Sequence, residues 1–206
     1  GDLVCALVPM VGEHVIVGEP LAWLWRTSPE EAPPDAAAFA ACVRDAVRIG
    51  YERTNEQDVA FGIRQLADIA AKALSPAVND PYTAMQATEH LAVVLAALAP
   101  RQLGHQVLVD GTDRERVAVP GRDWATYVEL ATGQVRRYGC TEPRVLTTLL
   151  RALDAIGGFC HDDERRQVVA HSVALVEESA ERAITQDADR TPITAQARAI
   201  HARLTG

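Results

Sequence analysis

The sequence predicts a mainly α-helical fold, an antiparallel array of about seven helices with a small N-terminal β element and one β-hairpin. Three observations carry this. Apolar residues recur at steps of three and four through most of the chain, short turn-forming groups separate those stretches, and period-two alternation is confined to residues 3–26 and 106–119.

Residues 4–8, 14–17 and 21–25 read as short strands because β-branched and aromatic residues dominate them, with Gly12-Glu13 and Gly18-Glu19-Pro20 as the turns between. The spacing V-G-E-H-V-I-V-G-E-P-L is like half of a lipoyl-type small β-barrel, in which glycine turn, strand and second glycine turn recur. The hairpin has no lysine, which excludes attachment of a prosthetic group. A linker with three prolines covers 27–34.

The first helix is expected from an Asp35 N-cap to Ile49, with Phe39, Val43, Ala46 and Ile49 at helical spacing and Gly50 as its stop. The second starts at Thr54, where Thr54-x-x-Gln57 fits a capping box, and ends near Leu74 because Ser75 precedes Pro76. The third opens with Asp80 as N-cap and Pro81 at its first position and runs to about Ala99. Val107, Val109, Val117 and Val119 alternate around Asp110-Gly111, which predicts a hairpin. Further helices are expected over 123–138, 141–156 and 163–184, and a last one from Thr191-Pro192 to the end. The organisation is thus a β element at 1–26, a linker at 27–34 and a helical domain at 35–206 that contains the hairpin at about 106–119.

Composition narrows the function. The chain is 48% hydrophobic and 23% charged, as globular proteins are, and its length suffices to bury a core unaided. A formal charge of −8 argues against a nucleic-acid interface or a polybasic membrane patch, since phosphate neutralisation needs clustered cations. No apolar run reaches the roughly 18–20 residues that span a bilayer, and no signal peptide opens the sequence, so any membrane anchor is expected outside these residues. Cys5, Cys42, Cys140 and Cys160 form no C-x-x-C, which suits reduced thiols in a cytoplasmic setting.

One segment stands out. Glu52-Arg53-Thr54-x-x-Gln57-Asp58-x-x-Phe61-Gly62-x-Arg64-Gln65-Leu66-x-Asp68-Ile69-Ala70 leads into Ala73-Leu74-Ser75-Pro76-x-x-Asn79-Asp80-Pro81-x-Thr83-Ala84. It is similar to the signature of the predicted bacterial membrane proteins grouped as DUF2254. The likeness extends over the whole chain, through the glycine-turn strands, the Asp110-Gly111 hairpin and the Asp189-Arg190 region. It implies a transmembrane section before this domain and places the domain on the cytoplasmic side of a bacterial cell membrane, with that section as its partner. The family has no assigned activity, so no functional residue and no cofactor carries over. Ala77 stands where the family commonly has glycine, which argues against a tight left-handed turn at that position.

Physically, the segment is two antiparallel helices with Val59, Ile63, Leu66, Ala70 and Ala73 as a core stripe and Asp58, Gln65, Asp68, Lys72 and Ser75 as a polar one. The plain reading of the polar stripe is a solvated face whose ion pairs, such as Arg64 with Asp68, contribute about 0.3–0.5 kcal/mol each. The sharper reading is a cleft for a small polar or anionic ligand. Capping accounts for Thr54, Gln57 and Asp80 but not for Asp58, Arg64, Gln65, Asp68 and Asn79, which are therefore the candidate ligand-binding residues. Alternatively Arg53, Asp58, Arg64 and Asp68 form a buried network that holds protomers in register.

The expected function is an assembly or ligand-sensing domain, homo-oligomeric, that regulates transport or ion passage by its membrane section. The alternative is acid/base catalysis at Asp58, Asp68 and Asp80. Asp58 and Asp68 would then lie about 15 Å apart along one helix, too far to act as a pair. No catalytic residue is assigned, because there is no G-x-S-x-G elbow, Walker loop or dinucleotide fingerprint. No metal is expected: H-E-x-x-H and EF-hand spacings are missing, and Cys160-His161-Asp162-Asp163-Glu164 reads as the capped start of a helix. His171 is expected in the core. Trp23 and Trp25, on one strand face, are expected to pack on the helices, with the bilayer or a partner subunit as the other option.

Overall fold

A computed structural model describes all residues except 1, 2, 29–31, 33 and 55. Contacts divide the chain into two units, Gly1–Asp58 with Leu103–Asp123, and Val59–Gln102 with Trp124–Gly206, called here the sheet unit and the helical unit. With seven helices and four strands described, the fold is mainly α with a small β component.

The sheet unit contains β1 (Leu3–Leu7), β2 (Ala22–Arg26), α1 (Ala36–Ala46), β3 (Gln106–Val109) and β4 (Glu115–Val119). The two β elements expected separately form one sheet, ordered β2-β1-β4-β3. Two antiparallel hairpins are joined at its centre by parallel pairing of β1 with β4, Cys5 opposite Val117 and Ala6 opposite Ala118.

The strand expected at 14–17 does not form. Met10 to Glu13 and Ile16 to Glu19 are two turns of one design. In each the fourth amide bonds the first carbonyl at 3.0 Å, and the glutamate carboxylate turns back to accept from the first amide at 2.8 Å. Gly12 and Gly18 take φ of 76° and 98°, the left-handed position such turns require at their third residue. Two closed turns leave too few residues between them to pair with a neighbouring strand.

Asp35 caps α1, its carboxylate accepting from the amides of Ala37 and Ala38 at 2.9 and 3.3 Å. The helix stops at Ala46, short of the expected Ile49, and none of its residues is fully buried. Without a packed face nothing offsets the poor helix propensity of Val47 and Ile49. Of the linker expected at 27–34, positions 29–31 and 33 lie outside the described residues.

The helical unit holds α2 (Val59–Ala73), α3 (Pro81–Leu98), α4 (Trp124–Tyr138), α5 (Pro143–Gly157), α6 (Asp163–Ala183) and α7 (Asp187–Thr205). Its core is built on α5, where Val145, Leu146, Leu149, Leu150, Leu153 and Ile156 are all essentially inaccessible. Helix α5 packs on α3, α6 and α7, while α2 packs on α3 and α4. The buried face of α2 is Ala60, Ile63, Ala67, Ala70 and Ala73, a rotation from the expected stripe that leaves Val59 43% exposed. Four alanines there let neighbouring helices approach closely.

Two helix starts depart from expectation. Helix α2 begins at Val59, not Thr54, and the Thr54/Gln57 capping box is not used. Helix α7 begins at Asp187 and carries Pro192 inside it. Arg190 fixes that first turn by donating to the Ile184 carbonyl at 3.0 Å and to the Asp187 carboxylate. Pro192 therefore deprives the Ala188 carbonyl of its usual donor, but Ala188 is exposed and water can serve it.

Candidate functional site

The structure gives the candidate residues different settings. Asp58 belongs to the sheet unit, and only 3% of its side chain is exposed. Arg53 donates to Asp58 Oδ2 through Nε at 3.0 Å and through its second terminal nitrogen. Arg122, just past β4, brings Nη1 to 3.9 Å from Asp58 Oδ1, and the same Nη1 donates to the Val11 carbonyl at 3.1 Å. Asp58 thus ties together the first glycine turn, the segment before α2 and the exit of the hairpin. Gly12 completes the fit, since a Cβ there would stand 1.7 Å from Asp58 Oδ2.

A carboxylate this buried is costly without cationic partners, and two guanidiniums supply them. The buried network anticipated from the sequence exists in part: Arg53 and Asp58 belong to it, whereas Arg64 and Asp68 lie exposed on α2 and Arg122 takes a place that was not foreseen. Residues 104 and 121 brace the same region. Gly104 donates to the Arg122 carbonyl at 2.9 Å, and a Cβ on Gly121 would come within 2.2 Å of the Gly104 oxygen.

In the helical unit, Arg64, Gln65 and Asp68 are exposed on α2, and Asn79 is exposed in the loop to α3. Asn79 has φ of 49°, so the left-handed residue of that loop is Asn79 and not position 77. Its amide bonds the Ser75 carbonyl at 2.8 Å, and the Asp80 amide bonds Ala73 at 2.8 Å, closing the end of α2. Asp80 then caps α3, accepting from the Thr83 amide at 3.1 Å and from its hydroxyl at 2.5 Å. These bonds hold the Asp80 carboxyl below its usual range, the hydroxyl bond contributing most. An ionised cap is a poor proton donor.

The remaining constellations resolve into structure. Asp162 caps α6 through the Arg165 amide at 2.7 Å, and Cys160 is buried. Burial raises the thiol pKa of both Cys5 and Cys160, keeping them protonated and weakly nucleophilic. No group of three metal-ligating side chains gathers among the described residues. His171 is exposed, not in the core, and lines a shallow groove along α4 and α6 with Glu129 and Glu164. Trp23 and Trp25 are 61% and 44% exposed, against the expectation that they pack on the helices.

Fold and site together define a helical domain carrying a small sheet whose most buried charges serve architecture. A family model described as "Predicted membrane protein (DUF2254)" matches residues 1–155, and the chain belongs to this family. It is 43% identical over 187 residues to an uncharacterized protein of Mycobacterium tuberculosis (strain ATCC 25618 / H37Rv) and, to the same extent, to one of Mycobacterium bovis. The match covers 91% of this chain and 36% of each of those proteins, so the chain spans little over a third of their length. No solved structure matches it. No helix among the described residues is long and apolar enough to cross a membrane.

Proposed function

We propose that this chain is the assembly and ligand-sensing domain of a multi-pass bacterial membrane protein, lying on its cytoplasmic side and regulating transport or ion passage by the membrane section. One observation carries the assembly part. Among the described residues Cys5 is the sole fully buried apolar residue of the sheet unit, while Trp23, Trp25, Val107, Leu108 and Val109 are all more than 40% exposed. A sheet with so little core and both edge strands apolar is built to be covered.

Edge strand β3, exposed along its whole length, is the surface through which copies join. The ligand part rests on Arg64, Gln65 and Asp68, which present a guanidinium, an amide and a carboxylate on the outside of α2 to a small polar or anionic molecule. Asn79 closes the loop at the end of that helix through its amide bond to the Ser75 carbonyl. Four unpaired thiols fit a reducing compartment.

Sedimentation equilibrium over a wide concentration range tests the assembly. The chain should associate, and Leu108→Lys, which places a charge on the edge strand, should shift it toward monomer while keeping its helical circular dichroism spectrum. A chain that stays monomeric at the highest concentration reached defeats the proposal.

A further inference from the structure

We propose that residues 8–25 seat the sheet unit in the headgroup and acyl boundary of a lipid bilayer. The inference rests on the membrane setting given above but not on self-association, since β2 and β3 are opposite edges of the sheet.

Trp23 and Trp25 stand two residues apart on β2 and so project from one face, and their cross-strand neighbours Ala6 and Val4 are apolar as well. The loop leading into β2 continues this character. Val11 and Val17 occupy the second position of the two glycine turns, where Val11 is 49% and Val17 fully exposed, and Ile16 beside them is 60% exposed. A turn tip in water normally carries a polar residue. Here Glu13 and Glu19, exposed themselves, turn their carboxylates back onto the Met10 and Ile16 amides, and the second position of each turn is left to valine.

Charge favours a bilayer surface over a charged partner. Between residues 8 and 25 the formally charged side chains are Glu13 and Glu19, whose carboxylates are held by backbone amides. With both carboxylates tied to amides and no cation among them, these residues offer a charged partner no complementary pattern. Paired indoles at the edge of an apolar surface suit the interfacial zone, where the ring is desolvated and the N–H stays hydrated. Contact would be shallow, because β2 is five residues long and a strand needs about 9–11 to cross.

The three tryptophans make the test direct. The full 206-residue chain is mixed with vesicles of phosphatidylethanolamine and phosphatidylglycerol bearing brominated acyl chains, and indole emission is followed. Emission should be quenched. In Trp23→Phe/Trp25→Phe the remaining Trp124, 5% exposed in the helical unit, should not be quenched. Val17→Asp, at a position with no packing to lose, should weaken vesicle binding about tenfold or more, since a buried valine is worth roughly 1.5–3 kcal/mol. Val93→Asp, 68% exposed on α3, should leave binding unaltered. Absence of quenching at all lipid concentrations, or equal quenching in the double variant, overturns the proposal. A blue shift that occurs without bromine quenching also overturns it, assigning the face to a protein partner.

Discussion

Gly12 and Gly18 hold the same place in two turns of the same design, yet their surroundings differ. Nothing lies within 4 Å of a Cβ built on Gly18, whereas one built on Gly12 collides with the Asp58 carboxylate. Alanine at either position incurs left-handed strain of about 1–2 kcal/mol. At Gly12 it must also displace a buried, paired carboxylate, a further cost of about 1–3 kcal/mol. Urea unfolding should therefore show Gly18→Ala mildly and Gly12→Ala severely destabilised, and equal losses would mean that the carboxylate contact contributes nothing. The turns themselves were legible, because glycine before glutamate is a local signal. The partners of Asp58 were not: Arg122 reaches the Val11 carbonyl across 111 residues of sequence, and no spacing rule connects them. Asn79 is a candidate in the sequence because no cap accounts for it, yet its backbone angle, which no side-chain pattern reveals, gives it a place in the loop.

At the scale of elements, the helices that bury a wide apolar face were legible nearly to the residue. Helix α5 and α3 are examples, with Asp80-Pro81 marking the start of α3 as expected. Errors fall where packing is thin. Helix α1 buries nothing fully and ends early, and α2 starts late because Asp58, which would have sat in its first turns, is held instead by Arg53. In α7 proline was read as a beginning, though the Arg190 contacts with Ile184 and Asp187 start the helix five residues sooner. Since Pro192 interrupts an exposed stretch of that helix, Pro192→Ala should restore a hydrogen bond to the Ala188 carbonyl. The gain expected is about 1–2 kcal/mol, the interior proline penalty less the entropy that proline removes from the unfolded chain. A lower melting temperature in calorimetry would show that the proline is instead part of a required bend.

At the scale of the molecule, the two units hold very unequal cores. The fully buried leucines, isoleucines and valines of the chain, as far as it is described, all belong to the helical unit. A chain of residues 59–206 with 103–123 replaced by a short Gly-Ser linker should therefore keep a cooperative thermal transition and a helical circular dichroism spectrum. The replacement is geometrically mild, because the Gly104 amide and the Arg122 carbonyl already meet at 2.9 Å across the base of the hairpin. A spectrum without cooperative melting would show that the helices depend on the sheet. Composition could indicate that a core exists but not that it is partitioned, since apolar residues are as plentiful in the strands as in the helices.

The parallel pairing of β1 with β4 also bears on the order of synthesis. Arg116 donates to the Leu3 carbonyl from 113 positions further along the chain. At translation rates of about 5–20 residues per second, the N-terminal hairpin waits roughly 6–20 s for the strand that completes its sheet. Throughout that interval its tryptophans and valines are exposed to whatever surface the nascent chain meets first.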